Sequence, residues 1–475
     1  MKSLAIMKST IGSVDEVGRG SFSSAQILRR TQLWRHKIEH VANKKQRFIG
    51  LAVPPSADFF SALLGIWQSG SCAVLLEAGL RPPERQAICK FIPLDLVLCG
   101  SDVDWPCMTI TPPTAKYEPG VDGLEFSPER PALALLTSGT TGVPKIVILS
   151  FGALAARIET NIATIGTKPL QRTLQILSLT FGHGLIGSAL TTLLSGGVLV
   201  LPQQDPRRAM RLGAIIDDLN ISFLTAVPAF WRMVIRVSPP PSSQSLLRVN
   251  VGSAPLDAEL WKAISAWSGC PVYNCYGMTE TANWVSFSSF EDGAHDGLVG
   301  QCLDSQFRIV PSPDQVSDPG MGEVWVKTSG MMEGYLHSPD LTASVITNGW
   351  FRTGDIGQLD ENGRLTLIGR KKEIINCAGA KVVPDEVDRL LERHPAIAEA
   401  CTFGLPDKIS GDSVAVALVR VQGHAVTKDE LSMWCSQLAR RELVPDHWFF
   451  VDSVCRNERG KLDRQRQRKM LTGDS

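Results

Sequence analysis

Between two apolar runs, residues 133–136 and 146–149, the chain sets Thr137, Ser138, Gly139, Thr140, Thr141, Gly142, Val143, Pro144 and Lys145. The hydroxyls are donors, the glycines let several backbone N–H groups turn towards one anion, and the lysine adds a positive point charge. That is the chemistry of phosphate binding, and the plainer alternative is a polar structural turn. The phosphate loop of kinases and ATPases reads GxxxxGK[ST]. Here Gly139 and Gly142 stand closer together, Pro144 precedes the lysine and Ile146 follows it, so a Walker-type NTPase is disfavoured.

The flanking pattern says what must hold this loop. "RFIGLAVP", "CAVLL", "LDLVLCG", "GVLVLP", "SFLTAVP" and "LLRVNVGS" read as buried strands, with a further strand over residues 173–178. Helical spacing occurs in "SADFFSALLGIWQSG", which Ser56 would cap, in "PPERQAICKF", and over residues 151–164 and 183–195. Strands alternating with helices predict βαβ units and parallel sheets covered on both faces. After about Pro311, "GEVWVKTSGMMEGYL" and "GWFRTGDIGQLDENGRLTLIGR" carry the turn signals of short antiparallel strands, a small barrel-like subdomain. Beyond Arg370 the pattern is α+β. A glycine-containing hairpin precedes a helix that opens at Pro384 with Asp385 and Glu386 in its first turn, and Thr427 with Glu430 forms a capping box. The predicted fold is α/β, with a large N-terminal domain over 1–371 and a small mobile domain over 372–475. The charged run Lys371–Glu373 reads as a solvated linker between them.

At 475 residues the chain exceeds one compact core, and its 44% hydrophobic and 20% charged residues are those of a globular protein. A formal net charge of zero argues against a nucleic-acid surface. The basic run "RNERGKLDRQRQRK" is interrupted by acids and reads as a solvated helix face. No apolar run reaches the roughly 18 residues of a membrane-spanning helix, and the first residues are too short and polar for a signal peptide. The 11 cysteines show no metal-ligand spacing and read as buried free thiols in a cytoplasmic protein.

"LLTSGTTGVPK", "YNCYGMTE", "GWFRTGD", "GRKKEIINCAGAKVVPDEV" and "RNERGKLDR" occur in that order. Together they resemble the motif set of the adenylate-forming superfamily, which includes acyl-CoA synthetases, the adenylation domains of peptide synthetases, and luciferases. The resemblance extends over residues 22–464. It implies an acid–thiol ligase: a carboxylate and ATP give acyl-adenylate and pyrophosphate, and the acyl group passes to CoA. The alternatives are a ligase that loads a separate acyl or peptidyl carrier protein, and a non-catalytic nucleotide-binding regulator. The last is disfavoured because binding alone needs neither Glu280 nor Lys461.

By the same resemblance, residues 137–142 and Lys145 hold the phosphates and the Tyr276 ring stacks on adenine. Thr279 bonds the α-phosphate and Glu280 holds Mg2+, or is simply a turn acid. Asp355 chelates the ribose hydroxyls, with Arg370 beside it. Lys461 neutralises charge between the attacking carboxylate and the α-phosphate, where the joining of two anions demands it. Lys372 is the hinge for the small domain, and Gly379 lies in the hairpin that lets a pantetheine arm pass. "VGSAPL" supplies Gly252, Ser253 and Ala254 to the acyl pocket, along with Gly277. Phe181 occupies the slot that amino-acid-activating relatives flank with an aspartate, which argues against an α-amino acid substrate. His183 is either the gating ring or a satisfied core histidine. Trp284 either floors the pocket, favouring an aryl or short acid, or fills the core.

Overall fold

The computed structural model describes residues 11–41, 48–94, 96–101, 103–112, 127–137, 145–203, 205, 207–311, 320–377, 380–407, 411–457 and 461–473. The chain divides into two compact units. The first comprises Met1–His295, Cys302–Gln306 and Lys327–Thr347; the second comprises Asp296–Gln301, Phe307–Val326 and Asn348–Ser475. The turn Lys371–Glu373 lies inside the second unit, whose antiparallel strands stand on its N-terminal side and whose terminal α+β body follows it.

The first unit carries two sheets of the expected kind. In one the strand order is Gly334–Tyr335, Lys145–Ser150, Pro131–Thr137, Cys72–Leu75, Phe48–Ala52, Leu96–Cys99, Met108–Ile110. The last five run parallel, and the first two add antiparallel at one edge. The other has Asn283–Ser289, Val272–Met278, Arg248–Gly252, Phe223–Ala226, Arg172–Leu174, Val198–Leu201, Ser13–Glu16 and Gly20–Phe22 in sequence across it. Its two outer strands are antiparallel and the rest parallel. The central strands are buried end to end, as a sheet covered on both faces requires. Local signals set the helices. Ser56 accepts from the Phe59 amide at 3.2 Å to open Ala57–Gln68, and Pro82 opens Pro82–Phe91.

Two elements differ from the expected pattern, and both border the candidate site. The strand foreseen over 173–178 stops at Leu174. Beyond it, the Gln175 side chain donates to the Leu177 carbonyl at 2.6 Å, and the hydroxyls of Ser178 and Thr180 both donate to Glu77. These side-chain bonds replace a ladder. The helix foreseen over 183–195 begins as a π-helix, His183–Leu190, and continues as Thr191–Leu194. Its widened turns leave carbonyls that side chains satisfy: Thr191 Oγ1 donates to Ile186 O at 2.7 Å, and Gln175 Nε2 to Gly184 O at 3.2 Å.

In the second unit, Gly322–Thr328, Trp350–Leu359 and Leu365–Arg370 run antiparallel. The terminal body has a sheet ordered Ala380–Val382, Ile375–Cys377, Gly411–Arg420, Ile397–Asp407, with His447–Phe450 parallel to Gly411–Arg420. The helices Pro384–Glu392, Lys428–Leu438 and Arg464–Thr472 complete it, and the Thr427–Glu430 capping box is present. Among the described residues no helix is long and apolar enough to cross a membrane.

Candidate active site

Lys145 opens its strand directly after the hydroxyl-rich loop, and antiparallel pairing sets it opposite Thr137, whose hydroxyl donates to the Lys145 carbonyl at 3.3 Å. The two ends of the loop are thereby held together. Ser138, Gly139, Thr140, Thr141 and Gly142 lie outside the described residues. On the other side of Lys145–Ser150 the short strand Gly334–Tyr335 pairs antiparallel. It brings the Tyr335 ring within 5.0 Å of Lys145 Nζ. The Tyr335 hydroxyl donates to Glu280 Oε1 at 2.9 Å. Burial first, and then the neighbouring Glu280 carboxylate, push the Tyr335 phenol well above its usual range, so it remains a donor. Lys145 and Glu280 are thus joined through a residue that the sequence did not single out.

Thr279 and Glu280 sit on the 3-10 turn Thr279–Thr281, which follows the strand that ends with Tyr276, Gly277 and Met278. Thr281 Oγ1 donates to Asn283 O at 2.8 Å and to Met278 O at 3.1 Å, and the Met332 amide donates to Glu280 O at 2.8 Å. Behind the turn, Arg157 is fully buried at 0% exposure. Its Nε donates to Thr281 O at 3.3 Å, Nη1 to Asp304 at 2.9 Å and Nη2 to Thr328 Oγ1 at 2.7 Å. Burial lowers the Arg157 pKa. Burial works against the Asp304 carboxylate too, but Arg157, Ser329 and Ser305 outweigh it and bring its pKa below the usual value. Ala282 and Asn283, next along, hold φ of 51° and 98°. Such left-handed backbone in residues with a Cβ persists only where its surroundings enforce it.

The residues assigned to the acyl pocket do converge. His183 is buried, with Nδ1 2.7 Å from Ser253 Oγ and Nε2 2.6 Å from Thr225 Oγ1. Its ring meets Trp284 edge-on at 5.1 Å between centroids, and Trp284 meets Phe287 in the same way at 5.2 Å. Trp284 is 2% exposed and also belongs to the core cluster with Ile165, Leu170, Phe223 and Cys275. Two glycines seat it. A Cβ on Gly277 would lie 2.0 Å from Asn283 O and 2.6 Å from Trp284 Cα, at the bulge between the two strands. A Cβ on Gly252 would lie 2.8 Å from Cys275 O and 3.5 Å from Trp284 Nε1. Ser253 holds φ of 70° while its hydroxyl contacts His183. Ala254 is half-buried beside it. Phe181, also half-buried, precedes the π-helix, and its carbonyl accepts from the Leu185 amide at 2.8 Å.

The remaining residues belong to the second unit. Asp355 and Arg370 are cross-strand partners, with Arg370 Nε 2.5 Å from Asp355 Oδ1. The Asp355 amide donates to Thr353 Oγ1 at 3.0 Å. Lys372 is exposed in its 3-10 turn. Lys461 is tied to Asn457: its amide donates to Asn457 Oδ1 at 3.1 Å, and its carbonyl accepts from the Asn457 amide at 2.9 Å. Gly379 lies outside the described residues.

These groups suit a nucleotide with its cation. Glu280 offers a hard carboxylate oxygen, Oε1 is held by Tyr335, and Oε2 has no protein partner among the described residues. A single carboxylate contact fits a Mg2+ carried on substrate phosphates. Sequence reasoning missed Tyr335, Thr225 and Arg157. Each acts by contact with a residue far away in the chain, and none stands within one of the five motifs.

Comparison with known proteins shows which family the chain belongs to. A Humulus lupulus protein described as a probable CoA ligase is 31% identical over 74% of this chain and 69% of its own length. The oxalate–CoA ligase of Arabidopsis thaliana is 31% identical over 71% of this chain and 67% of its own. The o-succinylbenzoate CoA synthetase of Bacillus subtilis, solved with its acyl-adenylate intermediate, superposes with a TM-score of 0.85 at 24% identity, covering 100% of this chain and 97% of that one. The model of the AMP-binding enzymes matches residues 38–336 and that of their C-terminal domain matches residues 386–461. The chain belongs to the AMP-binding enzymes of the adenylate-forming superfamily, as an AMP-forming acyl-CoA ligase.

Proposed function

We propose that this ligase activates a short carboxylic acid with ATP and transfers it to CoA. The observation that carries the short-acid reading is the packing beneath Gly252: His183, held at both ring nitrogens, lies edge-on to a fully seated Trp284. In this reading the acyl group lies beside Gly252, Ser253 and Ala254, and these two rings limit it to a few carbon atoms. The oxalate–CoA ligase among its relatives, whose acid is short, supports the same reading.

In this reading the loop from Thr137 to Lys145 cradles the phosphates of ATP, Tyr276 stacks on the base and Asp355 with Arg370 holds the ribose. Thr279 donates to the α-phosphate. Mg2+ on Glu280 would supply charge neutralisation at the phosphate oxygens. Lys461 places an ammonium where a carboxylate must approach a phosphate of like charge, lowering the barrier by electrostatic stabilisation and positioning. The carboxylate oxygen attacks the α-phosphorus and pyrophosphate leaves. The CoA thiol then displaces AMP from the acyl carbon, with the thiol proton lost. Residues 372–475 act as the moving body, hinged at Lys372, with Gly379 beside the thiol's path.

ATP–pyrophosphate exchange across short, aryl, medium and long-chain acids and α-amino acids, without and with CoA, tests this. Exchange that is strongest with short acids, followed by CoA-dependent AMP release, is the expected result. Strongest exchange with a long-chain or amino acid would overturn the short-acid reading, and exchange without CoA turnover would point to a carrier protein as acceptor.

A further inference from the structure

The segment between the strand Arg172–Leu174 and the π-helix His183–Leu190 has no ladder of its own, yet side chains hold it at two places. The first is Gln175, which is buried. Its Nε2 donates to Leu177 O at 2.6 Å and to Gly184 O at 3.2 Å, and its Oε1 accepts from Ser188 Oγ at 2.8 Å. Gly184 lets the π-helix rest against the segment, since a Cβ there would lie 2.0 Å from Ser178 O. All of these contacts lie within one sheet and the helix that covers it.

The second hold comes from the other sheet. Glu77 follows Cys72–Leu75 at the carboxyl end of that parallel strand, and it is exposed. Ser178 Oγ donates to Glu77 Oε1 at 2.9 Å, and the Thr180 hydroxyl donates to the same oxygen. The Thr180 amide donates to Ser178 Oγ at 3.2 Å, closing a small turn, and Leu179 between them is buried. Hydrogen bonds to an ionised acceptor are stronger than those to a neutral one, so two of them fix the backbone of residues 178–180. Phe181 comes next, half-buried, and its carbonyl accepts from the Leu185 amide at 2.8 Å. In α/β sheets ligands lie outside the carboxyl ends of the strands, which is where Glu77 meets this segment.

We propose that Glu77 is a positioning residue for acid selection: by holding Ser178 and Thr180 it sets where the Phe181 ring stands in the acyl pocket. This rests on the reading of Phe181 as a pocket residue. Glu77 itself does not touch substrate. A carboxylate from one sheet thereby tunes a pocket built on the other. Without it, Gln175 still ties the segment to the π-helix, but residues 178–181 gain freedom and the ring excludes longer acids less well. Because Glu77 is exposed, its loss should cost little stability, which separates an effect on selectivity from one on folding.

The test is acid selectivity in pyrophosphate exchange, read as kcat/KM for the best acid of the panel divided by that for its homologue about three carbons longer. Phe181→Ala should lower this ratio by roughly tenfold or more. Glu77→Ala should lower it by about fivefold and raise KM for the acid, with KM for ATP and the melting temperature at parent values. Glu77→Gln, which keeps an acceptor without the charge, should fall between. Ser178→Ala together with Thr180→Val removes the same bonds from the other side and should reproduce Glu77→Ala. If one of these variants loses melting temperature, the other decides the comparison. In the Phe181→Ala background, Glu77→Ala should change the ratio by less than about twofold, because the ring that it positions is gone. A parent ratio in Glu77→Ala, with Phe181→Ala effective, would overturn the positioning role and leave Phe181 in the pocket. Additive effects of the two would overturn it as well. A parent ratio in Phe181→Ala would overturn the pocket reading of Phe181 and the inference with it.

Discussion

The Tyr335 hydroxyl donates to Glu280 Oε1 at 2.9 Å while the face of the same ring lies 5.0 Å from Lys145 Nζ. Lys145 and Glu280 lie far apart in the chain, and the edge strand Gly334–Tyr335 is what spans them. Tyr335→Phe keeps the ring and its cation contact but removes the donor that orients the carboxylate. Outer partners of metal ligands typically contribute about 10- to 100-fold in metal affinity. The Mg2+ concentration for half-maximal pyrophosphate exchange should therefore rise about tenfold, with little change in melting temperature. An unchanged Mg2+ requirement, or an equal loss at saturating Mg2+, would remove Tyr335 from that role.

Ser253 combines a left-handed φ with the hydroxyl that meets His183. The two features can be separated. Ser253→Ala keeps the backbone cost and loses the hydroxyl, whereas Ser253→Gly loses both, so the glycine variant should be the more stable by about 1 kcal/mol. Both should raise KM for the acid and leave KM for ATP alone. A matching rise in KM for ATP would mean that Ser253 serves the nucleotide.

Trp284 is a core residue and, in the proposed function, also a pocket wall. Removing a buried tryptophan to alanine costs about 3–5 kcal/mol, so a drastic truncation would confuse the two roles. Trp284→Leu keeps part of the volume. It should lower the melting temperature and shift exchange activity towards acids longer by two or three carbons. A fall in stability with the acid profile intact would leave Trp284 as core alone.

The backbone of Lys461 bonds to Asn457 through both its amide and its carbonyl, so its side chain can be replaced without losing those bonds. Lys461→Ala should cut adenylate formation by roughly 100-fold or more, in the range expected for loss of one preorganised charge at the reacting centre. Thioester formation from supplied acyl-adenylate should stay near the parent rate. Equal loss of both half-reactions would contradict the role proposed for Lys461.

Much of the scaffold could be read in the chain. Pro82–Phe91, the Ser56 cap and the Thr427–Glu430 box obey local rules, and buried β runs announce the sheets. The legibility failed where side chains from distant segments decide the backbone. The strand expected over 173–178 gives way to bonds with Glu77, and the helix from His183 widens into a π-helix. For the same reason Tyr335, Thr225 and Arg157 carry no local mark. The charges at Lys371 and Glu373 have ion-pair partners, Glu323 and Arg464, that no local pattern announces.

The Arg157–Asp304 pair gives the fold a specific acid limit. The folded-state pKa of Asp304 lies below its ordinary value, so the unfolded chain binds the proton more readily. Stability from this group is therefore complete above the unfolded pKa, near 4, and drains away as pH falls through the lower folded value. Arg157 would then be left buried without its counter-charge, releasing the Thr279–Thr281 turn that it supports through Thr281 O. Asp304→Asn makes that state permanent. It should destabilise the first unit by about 3–5 kcal/mol at neutral pH, the usual cost of breaking a buried pair. It should also flatten the dependence of melting temperature on pH below about 4, because the group that titrates there is gone. Melting curves of parent and variant between pH 3 and pH 7 (spanning about 1 unit below to 3 units above the unfolded value) decide the matter. Parallel curves would show that another carboxylate sets the acid limit.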